Sequence, residues 1–478
     1  MSIRFVSTFV CTLPKAFKSS SAKPPTGIML LAVEGTCNDF GRLLGEYSAT
    51  SFSSFQALLK LTCGTTGYTK MYIYTSLYIS EFMNTVPFIV GKPVTGEYFI
   101  DRLKELDQMV NLLSAVSLGA SSNVALIGLR RTGKTSLFEN VRLRMISTEQ
   151  TVPVLINCFG ISTKARFAKT FMHEVTQAYV LKTEDRLHKD RLVSFLKKSV
   201  EEVSKQISDI DISIAEFAKF NVKLREPKAD EDELIEMALK YPQTLAEGKD
   251  VYFVIMIDEF QDTLKWGDDF LKNFRRVIES QKRVAYAFSG SVTTIMKDLL
   301  YHRRSPFYRQ LVEIELGRLP VESAREFVLS RLQKVGVKIS GEAVETVIGY
   351  SGSYPDYIQR LGLKLFQRGL SPGRSLLDKQ DVDIAYDEMI QSLDAEFSTY
   401  FKCFTDFEKE VLIALAHGNT NPSLLAQETR KPISSLPQIL HRLINHGIVE
   451  KYVEGHYRIS DPVFSDWLSR RYPLMIGD

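Results

Sequence analysis

The chain has 478 residues, with 60 Lys and Arg against 57 Asp and Glu and a formal net charge of +3. That length exceeds one ordinary domain of roughly 100–200 residues and predicts two to four, while the near-neutral balance excludes a chain that is polybasic throughout, so any nucleic-acid surface has to be local. Hydrophobic residues at 44% and charged residues at 24% are ordinary for a water-exposed globular protein, no stretch approaches the ~18 apolar residues of a membrane span, and five scattered cysteines form no CxxC or Cys/His cluster, which argues against a zinc site or disulfide framework and for reduced thiols.

In chain order, residues before Met83 are rich in Ser and Thr, poor in charge and without helical periodicity. Two readings stay open for 1–82: a weakly ordered extension, or a start assigned too early, with Met83 or Met71 the true first residue. The N-terminus lacks a convincing signal-peptide cleavage site, so a cytoplasmic location is expected.

From Asn84 the patterns strengthen. TVPFIVGKPV leads into an expected helix over Tyr98–Ala115, with Leu103, Leu106, Val110 and Leu113 at helical spacing. SSNVALIGLRRTGKTS reads as strand, glycine loop and helix start. VPVLINCFG (Val152–Gly160) is a buried strand, and Ala165–Tyr179 a helix. The charged stretch 181–250 reads as an insertion: HKDRLVSFLKKSVEEVSKQ as an amphipathic helix, ISDIDISI as a small strand by its period-two alternation, and Glu231–Glu247 as a helix. Buried strands return at Val251–Ile257, Arg283–Ser291 and Val312–Leu319. Strands alternating with helices predict a parallel α/β sheet over 83–319. Helical periodicity then continues through Glu322–Leu332, Gly341–Tyr350 and Tyr354–Gln367, defining a helical segment over 320–400.

GLRRTGKTS fits GxxxxGK[ST] through Gly128, Gly133, Lys134 and Thr135, with an apolar strand before it and a helix after it. The glycines permit backbone angles and close approach that a Cβ would block. The amides of Leu129, Arg130, Arg131 and Thr132 then turn inward on a β-phosphate, with Ser136 continuing into the helix whose N-terminus adds partial positive charge. Lys134 supplies a full charge to the β- and γ-phosphates, and the Thr135 hydroxyl ligates Mg²⁺. VYFVIMIDEFQD ends a buried strand with Asp258 and Glu259. A parallel strand presents its carboxyl end to the ligand crevice, so Asp258 is expected at the metal and Glu259 as the base that activates water. No NKxD or LSGGQ-type sequence is present, so ATP is favoured over GTP by elimination.

In combination these segments resemble the archaeal ATPase family of the STAND class, related to AAA+ proteins and origin-recognition initiators, from about Met83 to the C-terminus. FIVGKPVTGEYFIDR is similar to the family's VGR-type box, with Lys92 in place of the usual Arg. GLRRTGKTSL and Ile257–Gln261 (IDEFQ) match most closely. The resemblance implies that Val90 and Gly91 pack on adenine, and that AFSGS places Ser289 or Ser291 near the γ-phosphate. SPFYRQL is similar to a PLYGR element without its Gly, making Arg309 a candidate phosphate-sensing arginine beside Arg303 and Arg304. GSYP is similar to a lid GGxP motif, with Ser353 for the second Gly and Pro355 at the nucleotide.

The last segment, 401–478, predicts three helices and a hairpin. FTDFEKEVLIALAHG turns Phe407, Val411, Leu412 and Leu415 inward, PSLLAQETRKP is a short second helix, and Ser434–His446 carries Ile439, Leu440, Leu443 and Ile444 on one face. A hairpin turns at Glu454–Gly455, which completes the layout of a winged helix. For DNA reading the candidates are Ser434, Ser435, Gln438, His441, Arg442 and Asn445, with Lys451, Arg458, Arg470 and Arg471 on phosphates. Phe464 and Trp467 are expected in the core. The expected fold is thus a P-loop NTPase of ASCE/AAA+-like kind with a helical lid and a winged helix. Its expected function is an ATP-hydrolysing switch acting on double-stranded DNA; the alternatives are a signalling ATPase with a protein partner, or a nucleotide-binding module without turnover.

Overall fold

The computed structural model describes residues 29–35, 57–63, 69–75 and 86–473, apart from 121, 184–211, 225, 227–228, 292 and 372–375. The chain divides into two units, Met1–Val86 and Pro87–Asp478. In the first, β1 (Met29–Gly35) and β2 (Ala57–Cys63) each pair antiparallel with β3 (Thr69–Thr75), in the order β1-β3-β2. Met83, the alternative start, lies outside the described residues.

The second unit is built on a five-stranded parallel sheet of β4 (Val124–Ile127), β5 (Thr151–Asn157), β6 (Tyr252–Asp258), β7 (Val284–Gly290) and β8 (Val312–Glu315), in the order β5-β6-β7-β4-β8. Its central strands β4, β6 and β7 are buried nearly throughout because both faces are covered by helices, whereas the edge strand β8 alternates Val-Glu-Ile-Glu. Alternate residues feed opposite faces. Ile255 and Ile257 join one core with Phe253, Phe274 and Phe288, whereas Val254 and Met256 join the other with Leu126, Phe138 and Ile314. All five carboxyl ends lie at one edge, with Asn157 in register with Asp258 and Ile127 in register with Gly290.

The helices around the sheet are α1 (Leu103–Ser114), α2 (Lys134–Ile146), α3 (Lys164–Thr183), α4 (Ile212–Leu224), α5 (Glu231–Lys249), α6 (Asp268–Glu279) and α7 (Thr293–Tyr301). Leu106 and Leu113 of α1 are buried as expected, but Leu103, its first residue, is exposed. The small strand expected at ISDIDISI is overturned where the structure describes it: Ile212–Ile214 open a helix. Phe217 and Phe220, three apart, are both buried, so helical spacing outweighs the short alternation before it. The amphipathic helix expected at HKDRLVSFLKKSVEEVSKQ lies outside the described residues.

The lid follows as α8 (Val321–Lys334), α9 (Gly341–Ser351), α10 (Pro355–Gly369) and α11 (Lys379–Lys402). The winged helix comprises α12 (Asp406–Ala416), α13 (Pro422–Thr429), α14 (Leu436–Asn445), the antiparallel hairpin β9 (Val449–Val453) and β10 (His456–Ile459), and α15 (Pro462–Arg471). A reciprocal capping box between Thr405 and Glu408 starts α12. Phe464 and Trp467 are buried, as expected. They pack on Phe397 of α11 at ring separations of 5.3 and 5.7 Å, and the Trp467 indole donates to Asp394 Oδ1 at 2.9 Å. Lid and winged helix therefore share one hydrophobic core. Among the described residues no helix is long and apolar enough to cross a membrane.

Candidate nucleotide-binding site

The loop between β4 and α2 joins the strand and the helix that the sequence predicts on either side of it. A Cβ on Gly128 would sit 2.4 Å from the Leu316 carbonyl oxygen, so only glycine fits there. Gly133 holds φ +94° immediately before α2. Lys134 is buried, and its Nζ donates to the carbonyls of Gly128 at 2.9 Å and Leu129 at 2.8 Å. Burial pulls the Lys134 ammonium down to about 8, with Glu259 and Asp258 opposing the fall. Thr132 Oγ1 closes the loop on Leu129 O at 2.9 Å. The Ser136 hydroxyl accepts from Val94 N at 3.1 Å and so ties the preceding segment to α2.

The acidic pair stands opposite. Asp258 ends β6 and is buried; it accepts from Thr135 Oγ1 at 2.6 Å on one oxygen and from Ser289 Oγ on the other. The two expected metal ligands are thus adjacent oxygen donors at a helix start, a set that suits a hard cation such as Mg²⁺ while leaving its other positions for water and phosphate. Glu259 adopts φ +53°, a left-handed conformation that costs a non-glycine residue of order 1–3 kcal/mol and is held only by its surroundings. Its Oε2 accepts from Ser291 Oγ at 2.9 Å and from Gln261 Nε2. Both serines of the AFSGS segment are therefore used, one on each acid.

A cavity of about 1120 Å³ opens over the loop. It exceeds the roughly 300–1,000 Å³ of ordinary ligand pockets because it continues from the phosphate end across to the winged helix. Leu129, Arg130, Arg131, Thr132, Gly133 and Pro355 line it, with Gly91; Val90 does not, although Ile89 beside it does. Gln359, which sequence reasoning did not single out, is buried there and accepts from Ile89 N at 2.9 Å. Its signal was weak: one polar residue on the inward face of α10.

The glycine-like positions of the lid and sensor elements are kept by other residues. Gly352 and Ser353 take φ +56° and +59° in succession, so the serine adopts the backbone of the glycine it replaces. Arg309 has φ +55°, which aligns it with the glycine of the resembled element. Its guanidinium lies 5.2 Å from the centre of its own Tyr308 ring, and neither it nor the exposed Arg303 and Arg304 line the cavity.

Arg131 is turned out of the loop. Its guanidinium pairs with Asp356, with Glu396 at 2.5 Å and with Asp461 at 3.9 Å. Arg130 lies 5.8 Å from the centre of the Tyr400 ring.

At the winged helix, Ser434, Gln438, His441 and Arg442 are exposed on or just before α14, and Lys451 is exposed on the wing. The basic residues are largely matched by acids. Arg442 donates to Glu408 at 2.6 Å, Arg458 to Glu450 at 2.6 Å, and Arg470 to Asp387 at 2.6 Å. Asn445 and His441 bond each other at 3.2 Å, and Ser435 bonds back to Pro432 O at 2.6 Å. Arg471 is exposed.

The sheet order, the phosphate loop and the helical C-terminal region define a P-loop NTPase fold of the AAA+/ASCE-like kind. The solved structures agree. The Walker-type ATPase of Pyrococcus abyssi superposes with a TM-score of 0.59 at 17% identity, covering 80% of this chain and 99% of that one. The ORC2 protein of Aeropyrum pernix, in its ADPNP–ADP complexes, superposes with a TM-score of 0.51 at 15% identity, covering 80% and 99%. No family model matches the sequence, and no curated protein matches it.

Proposed function

We propose that the chain is a Mg²⁺-dependent ATP-binding and ATP-hydrolysing switch whose winged helix carries the output to double-stranded DNA. The carrying observation is the convergence of Lys134, Thr135, Asp258, Glu259, Ser289 and Ser291 at the carboxyl edge of one parallel sheet, from three separate segments of the sequence. The loop amides and Lys134 bind the β- and γ-phosphates, as phosphate loops do. Thr135 and Asp258 would hold Mg²⁺, which would supply charge neutralisation for the transferred phosphoryl group. Glu259, fixed by Ser291 and Gln261, takes the proton from the attacking water. Ser289 holds Asp258 in place. The segment Ile89–Val94 and Pro355 face the base end, a reading in line with the STAND-type resemblance.

The test is an ATPase assay with and without double-stranded DNA, run beside Glu259→Gln. Turnover in wild type that the variant loses supports the reading; no turnover above the variant leaves a nucleotide-binding module and overturns hydrolysis. A second reading, a protein partner in place of DNA, is favoured by the pairing of Arg442 and Arg458 with Glu408 and Glu450. It predicts DNA retention that is weak and unaltered by Arg442→Ala.

A further inference from the structure

The phosphate loop carries a side chain that its own chemistry does not use. Arg131 has a left-handed backbone, φ +67°, and its side chain is only 14% exposed. The guanidinium lies 4.8 Å from the centre of the Tyr357 ring and faces three carboxylates from three helices: Asp356 at the start of α10, Glu396 in α11, and Asp461, the N-cap of α15. Asp461 has further duties. It accepts from Val463 N at 3.0 Å and Phe464 N at 3.1 Å, and from the Tyr357 hydroxyl at 2.5 Å. One cation of the loop thus sits where two helices of the lid meet the start of the last helix of the winged helix. Three carboxylates drawn together in a partly dry space repel one another; Arg360 Nε shares the Asp356 carboxylate at 2.8 Å, and Arg131 is the cation that reaches all three.

We infer that Arg131 is a positioning residue that clamps the lid and winged helix to the phosphate loop, so that filling the loop and docking the module are linked through one guanidinium. Arg131 stands three residues before Lys134 in a loop that any bound phosphate must engage. A shift of the loop backbone therefore moves the centre of the three-carboxylate cluster. Linkage is reciprocal: whatever loosens the winged helix alters nucleotide affinity by the same factor with which nucleotide alters docking. Burial works against the guanidinium's charge, but Tyr357, Asp356, Glu396 and Asp461 outweigh it and keep Arg131 firmly protonated. The docking half of the inference stands on geometry alone; the nucleotide half rests on the function proposed above.

Hydrogen exchange on the full chain separates the two. Without nucleotide, peptides covering 456–471 should exchange about tenfold faster in Arg131→Gln than in wild type. Arg131→Lys should recover part of the protection, and Glu396→Gln should shift it in the same direction by less. Lys272→Ala, at an exposed lysine of α6 paired with Asp269, should match wild type. Unchanged protection in a folded Arg131→Gln overturns the clamp; if that variant does not fold, Arg131→Lys and Glu396→Gln decide on the same readout. Then, at MANT-ATP and Mg²⁺ concentrations saturating each protein, exchange over 456–471 should change in wild type and not in Arg131→Gln. An equal response in both overturns the linkage, as does loss of MANT-ATP binding in Arg131→Gln as complete as in Lys134→Ala, which would make Arg131 a phosphate ligand. A wild type that binds no MANT-ATP sinks the proposed function, while the nucleotide-free comparison still decides the clamp.

Discussion

The phosphate end of the sheet and the outer face of the winged helix treat charge in opposite ways. At the loop, Lys134 donates to main-chain carbonyls and Asp258 accepts from two hydroxyl groups and the Glu259 amide, so neither charge is cancelled by a direct ion pair. On the winged helix, Arg442, Arg458 and Arg470 each already hold a carboxylate. A site built to meet a charged ligand keeps its charges aimed and uncommitted, whereas paired surface charges mainly satisfy one another. The contrast leaves uncancelled charge at the loop and paired charge on the winged helix.

The comparison can be broken first at the loop. Glu259→Gln should lower kcat by about 10²–10⁴, with a smaller effect on nucleotide affinity, as read by steady-state hydrolysis and MANT-ATP titration. Equal rates in both proteins would remove Glu259 from the chemistry. Lys134→Ala should weaken MANT-ATP binding by about 100-fold, because it removes the charged partner of a desolvated anion; an unchanged affinity would mean that the loop does not hold phosphate. At the winged helix the effects should be smaller. If DNA is the output, Lys451→Ala should lower the slope of log affinity against log salt by about one, and Glu408→Gln should raise DNA affinity by freeing Arg442. A flat salt dependence in wild type would favour the protein partner.

The smallest effect is one of pH. Burial raises the Glu408 carboxyl, but bonds from the Thr405 amide and hydroxyl, with Arg442 beside it, outweigh burial and hold it below the usual glutamate range. A depressed carboxylate stabilises the folded state above its ordinary pKa of about 4.3, and that contribution is lost as pH falls through the lower folded value. The melting temperature of wild type should therefore fall more steeply on acidification below about pH 4.3 than that of Glu408→Gln. Parallel curves would show that the capping box, not its charge, holds α12.

Much of the site was legible because its residues are local and chemically constrained. Gly128 and Gly133 are demanded by close approach and a left-handed backbone, and Asp258 and Glu259 by their place at the end of an apolar run. The winged helix was legible for a similar reason, since the inward positions of α12 and α14 recur at helical spacing. Arg309 shows the limit of that method. Its neighbours matched a known element, but its φ of +55° puts it at the glycine position, with its guanidinium on Tyr308 and away from the cavity. A one-residue difference in register is invisible to residue type and plain in a dihedral angle. The described end of ISDIDISI, Ile212–Ile214, is helical for a related reason: a short alternation carries too few residues to outweigh a helical pattern.

By itself the sequence determined the strand–loop–helix around Lys134, the acids that face it, and the order of core, lid and winged helix. Those features follow from periodicity and from backbone angles that few residue types tolerate. The tertiary structure decided what each free-looking charge meets. Asp356, Glu396 and Asp461 lie 225, 265 and 330 positions from Arg131 along the chain, and no local pattern announces that they converge on it. Only the packing of α10, α11 and α15 over the phosphate loop brings the four together, because an ion pair depends on distance in space and not on distance in sequence.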